Sequence, residues 1–143
     1  MYNGTTELTI DAKGRLAVPA RYRASLLESC GGRLTVTLSL DQCLEVYPQH
    51  AWELFAAKLD ALPSLTPQAR KLRRHFLGAA EPLAMDKQGR IQLTPYLRSR
   101  AGLERNAIFV GQGEKFELWD KAAWDRYEEE VELDADFLAS IGI

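Results

Sequence analysis

At 143 residues and 46% hydrophobic content, the chain can form one domain, or two small lobes sharing a core. No run of about 18 apolar residues exists, which excludes a helical membrane span, and Met1-Tyr2-Asn3-Gly4-Thr5 lacks the charged-then-apolar pattern of a secretory signal. The net charge of −2 argues weakly against a nucleic-acid partner, but residues 1–113 carry 15 Lys/Arg against 10 Asp/Glu, and residues 114–143 carry 3 against 10.

The alternation of Leu8 and Ile10 before Asp11-Ala12-Lys13-Gly14-Arg15, and of Leu16 and Val18 after it, predicts a β-hairpin with a four-residue connection. Asp at the first position accepts backbone N–H groups inside a type I turn, and Gly at the fourth tolerates a positive φ. Asp11 and Gly14 are therefore turn-structural. Turn chemistry does not account for Arg15 or for Lys13 at the tip. Arg15 could pair with Asp11 across the turn, or form a cationic fork for a phosphate or a guanine edge. The two roles can coexist, because an oriented Arg still presents donors outward.

Pro19 opens a helix carrying Tyr22, Leu26 and Leu27, which Gly31-Gly32 stops. Arg33 to Leu40 predicts a half-buried strand, with Leu34, Val36, Leu38 and Leu40 inward and Arg33, Thr35, Thr37 and Ser39 outward. Cys43 to Tyr47 returns as its partner. Cys30 and Cys43 have no metal spacing, and His50 and His75 stand alone. No metal or cofactor is expected, and reduced thiols in a cytosolic interior are the default, with a Cys30–Cys43 disulfide as the alternative.

His50 to Leu62 reads as a helix, and Thr66-Pro67 caps a second one reaching about Leu77. Arg70, Lys71, Arg73, Arg74 and His75 share its polar side. They could touch phosphates, although a solvated face pairing with acidic neighbours is the preferred reading.

A second copy of the loop, Asp86-Lys87-Gln88-Gly89-Arg90, then follows at a shift of 75 residues, and Arg98 answers to Arg23. Asp86 and Gly89 take the turn roles. Farther on, at a shift of 72, Phe116-Glu117-Leu118-Trp119 aligns with Leu44-Glu45-Val46-Tyr47, and Trp124 with Trp52. Pro95 opens the second short helix. Lys121 to Glu132 predicts a final helix, and residues 133–143 a frayed tail. The expected organisation is a first repeat over 5–50, a helical connector over 51–80, a second repeat over 81–124 and an acidic C-terminal helix and tail over 125–143. Each repeat alone has open strand edges and too little core. Pairing them into one α+β closed β-barrel of pseudo-two-fold symmetry resolves both, with Leu34, Val36, Val46, Ile108, Val110 and Leu118 in a shared interior.

The ordered set Asp11-x-x-Gly14-Arg15-x-x-x-Pro19, Cys43-Leu44-Glu45-Val46-Tyr47-Pro48, Asp86-x-x-Gly89-Arg90 and Lys115-Phe116-Glu117-Leu118-Trp119-Asp120 resembles the MraZ family over about residues 4–125. That resemblance implies two AbrB/SpoVT-type units forming a swapped-hairpin barrel. It also implies a cytoplasmic, nucleoid-associated transcriptional regulator, assembled as a homo-oligomeric ring. Such a regulator binds G-rich direct repeats in double-stranded DNA upstream of its own division and cell wall gene cluster. Arg15 and Arg90, with Lys13 and Lys87 beside them, become the first candidates for DNA contact, and Arg21 a candidate phosphate contact.

Two other readings compete with the DNA-binding one. An enzyme using Asp11 and Asp86 as a carboxylate pair is disfavoured, since each sits beside a cation that lowers its pKa and no nucleophile–base or metal set accompanies them. A protein-binding assembly or antitoxin-like module of the same fold is the alternative.

Overall fold

A computed structural model describes residues 1–143. The first half contains β1 (Thr5–Thr9), β2 (Arg15–Ala17), α1 (Ala20–Cys30), β3 (Arg33–Leu38) and β4 (Leu44–Pro48). The pair α2 (Gln49–Asp60) and α3 (Pro67–Leu77) leads into β5 (Glu81–Ala84), β6 (Arg90–Gln92), α4 (Pro95–Arg100), β7 (Asn106–Gly111) and β8 (Phe116–Asp120). Helices α5 (Lys121–Glu130) and α6 (Ala135–Ser140) close the chain. The fold is mixed α+β with antiparallel pairing throughout.

Local chemistry sets the boundaries. Thr66 and Thr94 cap α3 and α4 by accepting the Ala69 and Leu97 amides at 3.1 and 3.2 Å, each with Pro at the next position. α1 stops at Gly31, whose φ of 64° returns its N–H to Leu27. The expected frayed tail is instead helical over Ala135–Ser140, because Asp134 caps the Phe137 amide at 3.1 Å. Both cysteines are free and buried, on opposite faces of the main sheet.

The six-stranded sheet runs β1-β7-β8-β4-β3-β5, and β2 and β6 form a separate two-stranded ribbon. A pseudo-two-fold axis passes between β4 and β8, where Glu45 lies opposite Glu117. The turns after β1 and β5 close as expected, with the Gly14 N–H on Asp11 O at 2.9 Å and the Gly89 N–H on Asp86 O at 3.0 Å. The flanking strands, however, do not pair with each other. β1 joins β7 and β2 joins β6, each a strand from the other half of the chain. The expected closed barrel is likewise not a closed hydrogen-bonded sheet. β1 and β5 end the main sheet, and the ribbon packs across its inner face through Leu16, Val18, Ile91 and Leu93.

The shared core contains Leu34, Val36, Val46 and Leu118, together with Phe109 and Phe116. Each such side chain contributes about 1.5–3 kcal/mol relative to exposure. Ile108 and Val110 do not join them. Strand parity turns these two to the opposite face, under Trp119, Trp124 and Tyr127. Thr35, Thr37 and Ser39 are buried rather than solvated, because α2 and α3 cover that face. Thr35 Oγ1 bonds Gln49 Oε1 at 3.0 Å, and Thr37 Oγ1 donates to Phe76 O at 2.6 Å. Leu40 lies beyond the end of β3 and is 76% exposed.

Candidate nucleic-acid interface

The two repeated loops build the same hydrogen-bond network. Asp11 Oδ1 accepts the Lys13 and Arg15 amides at 2.9 and 2.8 Å, and Oδ2 accepts Arg15 Nε at 2.8 Å. Asp86 repeats this with the Gln88 and Arg90 amides, both at 2.9 Å, and Arg90 Nε at 3.0 Å. The Arg15 amide is foremost in holding the Asp11 carboxyl below its ordinary range, with the Arg15 guanidinium and the Lys13 amide adding. The Arg90 amide leads in the same way at Asp86. Both carboxylates are therefore ionised at neutral pH. They lie at opposite ends of the β2–β6 ribbon and share no proton.

Of each arginine's guanidinium, the Asp engages only the Nε. The Nη groups of Arg15 and Arg90 have no partner within the chain, and the two side chains are 34% and 37% exposed. The carboxylate thus orients a guanidinium whose outer edge stays available.

Each loop is seated on the opposite half of the molecule. Gly14 O accepts the Leu93 amide at 2.9 Å, and Gly89 O accepts the Val18 amide at 2.9 Å. The glycines are required twice over. Their φ values are 83° and 75°, and a Cβ at Gly14 would lie 2.9 Å from Arg98 Nε, while one at Gly89 would lie 2.9 Å from Arg23 Cζ. Arg23 Nε in turn donates to Val18 O at 2.7 Å, whereas the equivalent Arg98 Nε is buried without a hydrogen-bond partner.

The ribbon register places Arg15 opposite Gln92 and Ala17 opposite Arg90. Leu16 and Ile91 point into the core, so Arg15, Ala17, Arg90 and Gln92 share the outward face. Strand geometry puts the two arginine Cα atoms roughly 8 Å apart. Sequence reasoning missed Gln92, which enters this face only through the pairing of β2 with β6; its position two residues after Arg90 was the available signal. Its Nε2 also donates to Lys13 O at 3.0 Å. Lys13 and Lys87 stand exposed at the loop tips without ion-pair partners, at non-equivalent positions, since Lys13 corresponds to Gln88 and Lys87 to Ala12.

Arg21 does not belong to this cluster. Its Nη2 donates at 2.6 Å to Oγ1 of Thr6, a β1 residue five positions before Asp11, and its guanidinium lies 4.8 Å from the Tyr22 ring centroid. The basic side of α3 is partly consumed by structure. Arg70 binds the Ser64 and Leu65 carbonyls, and Arg73 binds Leu59 O and Asp60. No three His, Cys, Asp or Glu side chains converge as metal ligands would. No helix is long and apolar enough to cross a membrane.

The chain matches a family model described as "MraZ protein, putative antitoxin-like" twice, over residues 1–75 and 76–139. It is 50% identical over 125 residues to a Nitrosomonas europaea protein named "Transcriptional regulator MraZ", covering 87% of this chain and 84% of that one. Proteins of the same name from Thioalkalivibrio sulfidiphilus and Pseudomonas aeruginosa are 46% and 48% identical; these matches cover 91% and 87% of this chain, and 87% and 83% of the respective relatives.

Proposed function

The chain belongs to the MraZ family, and on that premise we propose that it is a transcriptional regulator which binds double-stranded DNA through the outward face of its β2–β6 ribbon. The observation that carries this reading is the pair Arg15 and Arg90, each fixed through Nε by its own Asp with both Nη groups free. The major groove, about 12 Å wide, admits a two-stranded ribbon, and a bidentate Arg on guanine O6 and N7 is the commonest specific contact there. Gln92 on the same face suits an adenine edge. Lys13 and Lys87 at the tips suit phosphates, which fix register without reading sequence. Arg21, engaged with Thr6, is the weakest of the candidate contacts. Two arginines give modest affinity per chain. A ring presenting the same ribbon several times to evenly spaced sites raises it by effective concentration. The family resemblance supports G-rich direct repeats ahead of the protein's own division and cell wall gene cluster as its sites, and the nucleoid as its location.

The test is footprinting of the full chain on the DNA upstream of its own gene, across a salt series. Protection of evenly spaced G-rich segments is expected, and absence of protection at moderate salt would overturn the reading. The antitoxin-like wording of the family description and the acidic C-terminal arm favour a second reading, a module whose partner is another protein. Capture of a stoichiometric protein partner by a chain that protects no DNA would establish that instead.

A further inference from the structure

α6 is formed yet has no buried residue, only Leu138 being partly covered, and an isolated helix of six residues is unstable in water. Residues 128–143 carry six acidic and no basic side chains. Phe137 and Ile141, four residues apart on one side of this arm, are both about half exposed. The arm is thus acidic, amphipathic and without a surface to cover.

A surface of the opposite character lies on α3. Leu40, Leu62, Ala69 and Leu72 line a groove of about 540 Å³ that Lys71 and His75 border. A cleft of about 520 Å³ continues from those two residues to Arg74 and Arg100. Neither contains an acidic side chain, and Lys71 and Arg74 have no hydrogen-bonding or ion-pair partner. Within one chain the two features sit on different halves of the main sheet. α5, which carries the arm, packs on β7 and β8, whereas α3 packs on β3 beyond β4.

We propose that the acidic α6 arm of one copy docks into the basic-bordered apolar groove on α3 of the next copy. Charge complementarity and the match of apolar stripe to apolar groove select a second copy of this chain as the occupant. The contact is heterologous, so repetition yields a ring when the rotation closes and a filament when it does not. This rests on the ring reading above and assigns its interface.

The test is a charge exchange in the full chain, read by light scattering. Lys71→Glu with Arg74→Glu is expected to reduce the assembly toward the 16.1 kDa chain, as is Glu132→Lys with Asp136→Lys. Mixing the two variant proteins in equal amounts is expected to restore the wild-type mass, since each groove then meets a complementary arm. Should the groove variant fail to fold, Phe137→Ser, at a residue outside the core, is expected to weaken assembly by itself. A wild-type oligomer whose mass survives both double variants, or is not restored by mixing, overturns the docking and leaves the ring reading standing. Groove variants that keep their mass but bind duplex DNA less tightly, with a shallower salt dependence, reassign the cleft to phosphate and overturn it too. A wild-type chain that stays monomeric at all concentrations removes the ring reading, and this inference with it.

Discussion

Gly89 rests on the guanidinium of Arg23, a residue from the other half of the chain, and Gly14 rests on the Leu93 carbonyl oxygen together with Arg98. Each loop thus takes its shape partly from a helix more than sixty residues away in sequence.

Gly89→Ala is expected to cost more than the roughly 1–2 kcal/mol of placing an L residue in the left-handed region, because the methyl also displaces Arg23. Gly31→Ala is the control. Its φ is also positive, at 64°, but a Cβ there meets nothing within 4 Å. Urea denaturation of both variants gives the difference, and Arg23→Ala added to Gly89→Ala should shrink it. Equal losses at positions 31 and 89 would show that the Arg23 contact carries no weight.

Arg15→Ala and Arg90→Ala are expected to leave stability almost unchanged, since exposed pairs contribute about 0–1 kcal/mol. Operator affinity should fall by about 1–3 kcal/mol per engaged site, with relaxed sequence preference. Asp11→Ala should destabilise more than Arg15→Ala, because it also frees two backbone amides. Melting curves, with affinities for operator and random duplex, separate these effects. A folded double Arg variant with undiminished operator affinity would remove the ribbon from the site.

The buried carboxylates at the pseudo-dyad should respond in opposite senses. Glu45 is paired with Lys115 Nζ at 2.6 Å and accepts the Tyr47 hydroxyl at 2.8 Å. Glu117 receives the Trp119 indole N–H at 3.1 Å but has no cation bonded to it, since Cys43 occupies the place equivalent to Lys115. Burial foremost raises the Glu117 pKa above 4.5, against the opposing indole bond and the Lys115 charge. The folded state therefore favours its protonated form, and that contribution is lost as pH rises through the folded value. Glu117→Gln is expected to stabilise at pH 7 by about 0.5–2 kcal/mol. Glu45→Gln should destabilise by about 1–3 kcal/mol by leaving Lys115 without its counter-charge. Thermal melts at pH 5 and pH 8 check both, and the gain from Glu117→Gln should be smaller at pH 5.

Asp11 and Asp86 give the reverse pH dependence. Their folded pKa values lie below 3.8, so their stabilising contribution is complete above that value and is lost as pH falls through the folded value. Amide exchange at Lys13, Arg15, Gln88 and Arg90 should accelerate below about pH 3.8 relative to the β7–β8 core, once corrected for intrinsic exchange rates. Unchanged protection at these amides would show that the carboxylates do not hold the turns.

The turn networks were legible in the sequence because every partner of Asp11 and Asp86 lies within four residues. The strand exchange was carried only by the swapped hairpins that the family resemblance implies, because the partner of β2 lies 75 residues away and alternation does not name a partner. The polar face of β3 read as solvated for the same reason: Thr35 and Thr37 alternate like an exposed face, and only the later helices bury them. Gln92 entered the candidate face through that hidden pairing. The α6 signal was local and readable, since Asp134 precedes the apolar Phe137 at capping distance.

A ribbon with perfect two-fold symmetry would sit on a duplex equally well after being turned end for end. Gln92 faces Arg15 while Ala17 faces Arg90, and the tip lysines are offset by one position, so this ribbon has a head and a tail. If the ribbon binds as proposed, a single chain would sense strand polarity, and successive copies arranged head-to-tail along DNA would all read in one orientation. Inverting one half of a tandem site, with spacing and composition kept, should cost as much binding as deleting that half.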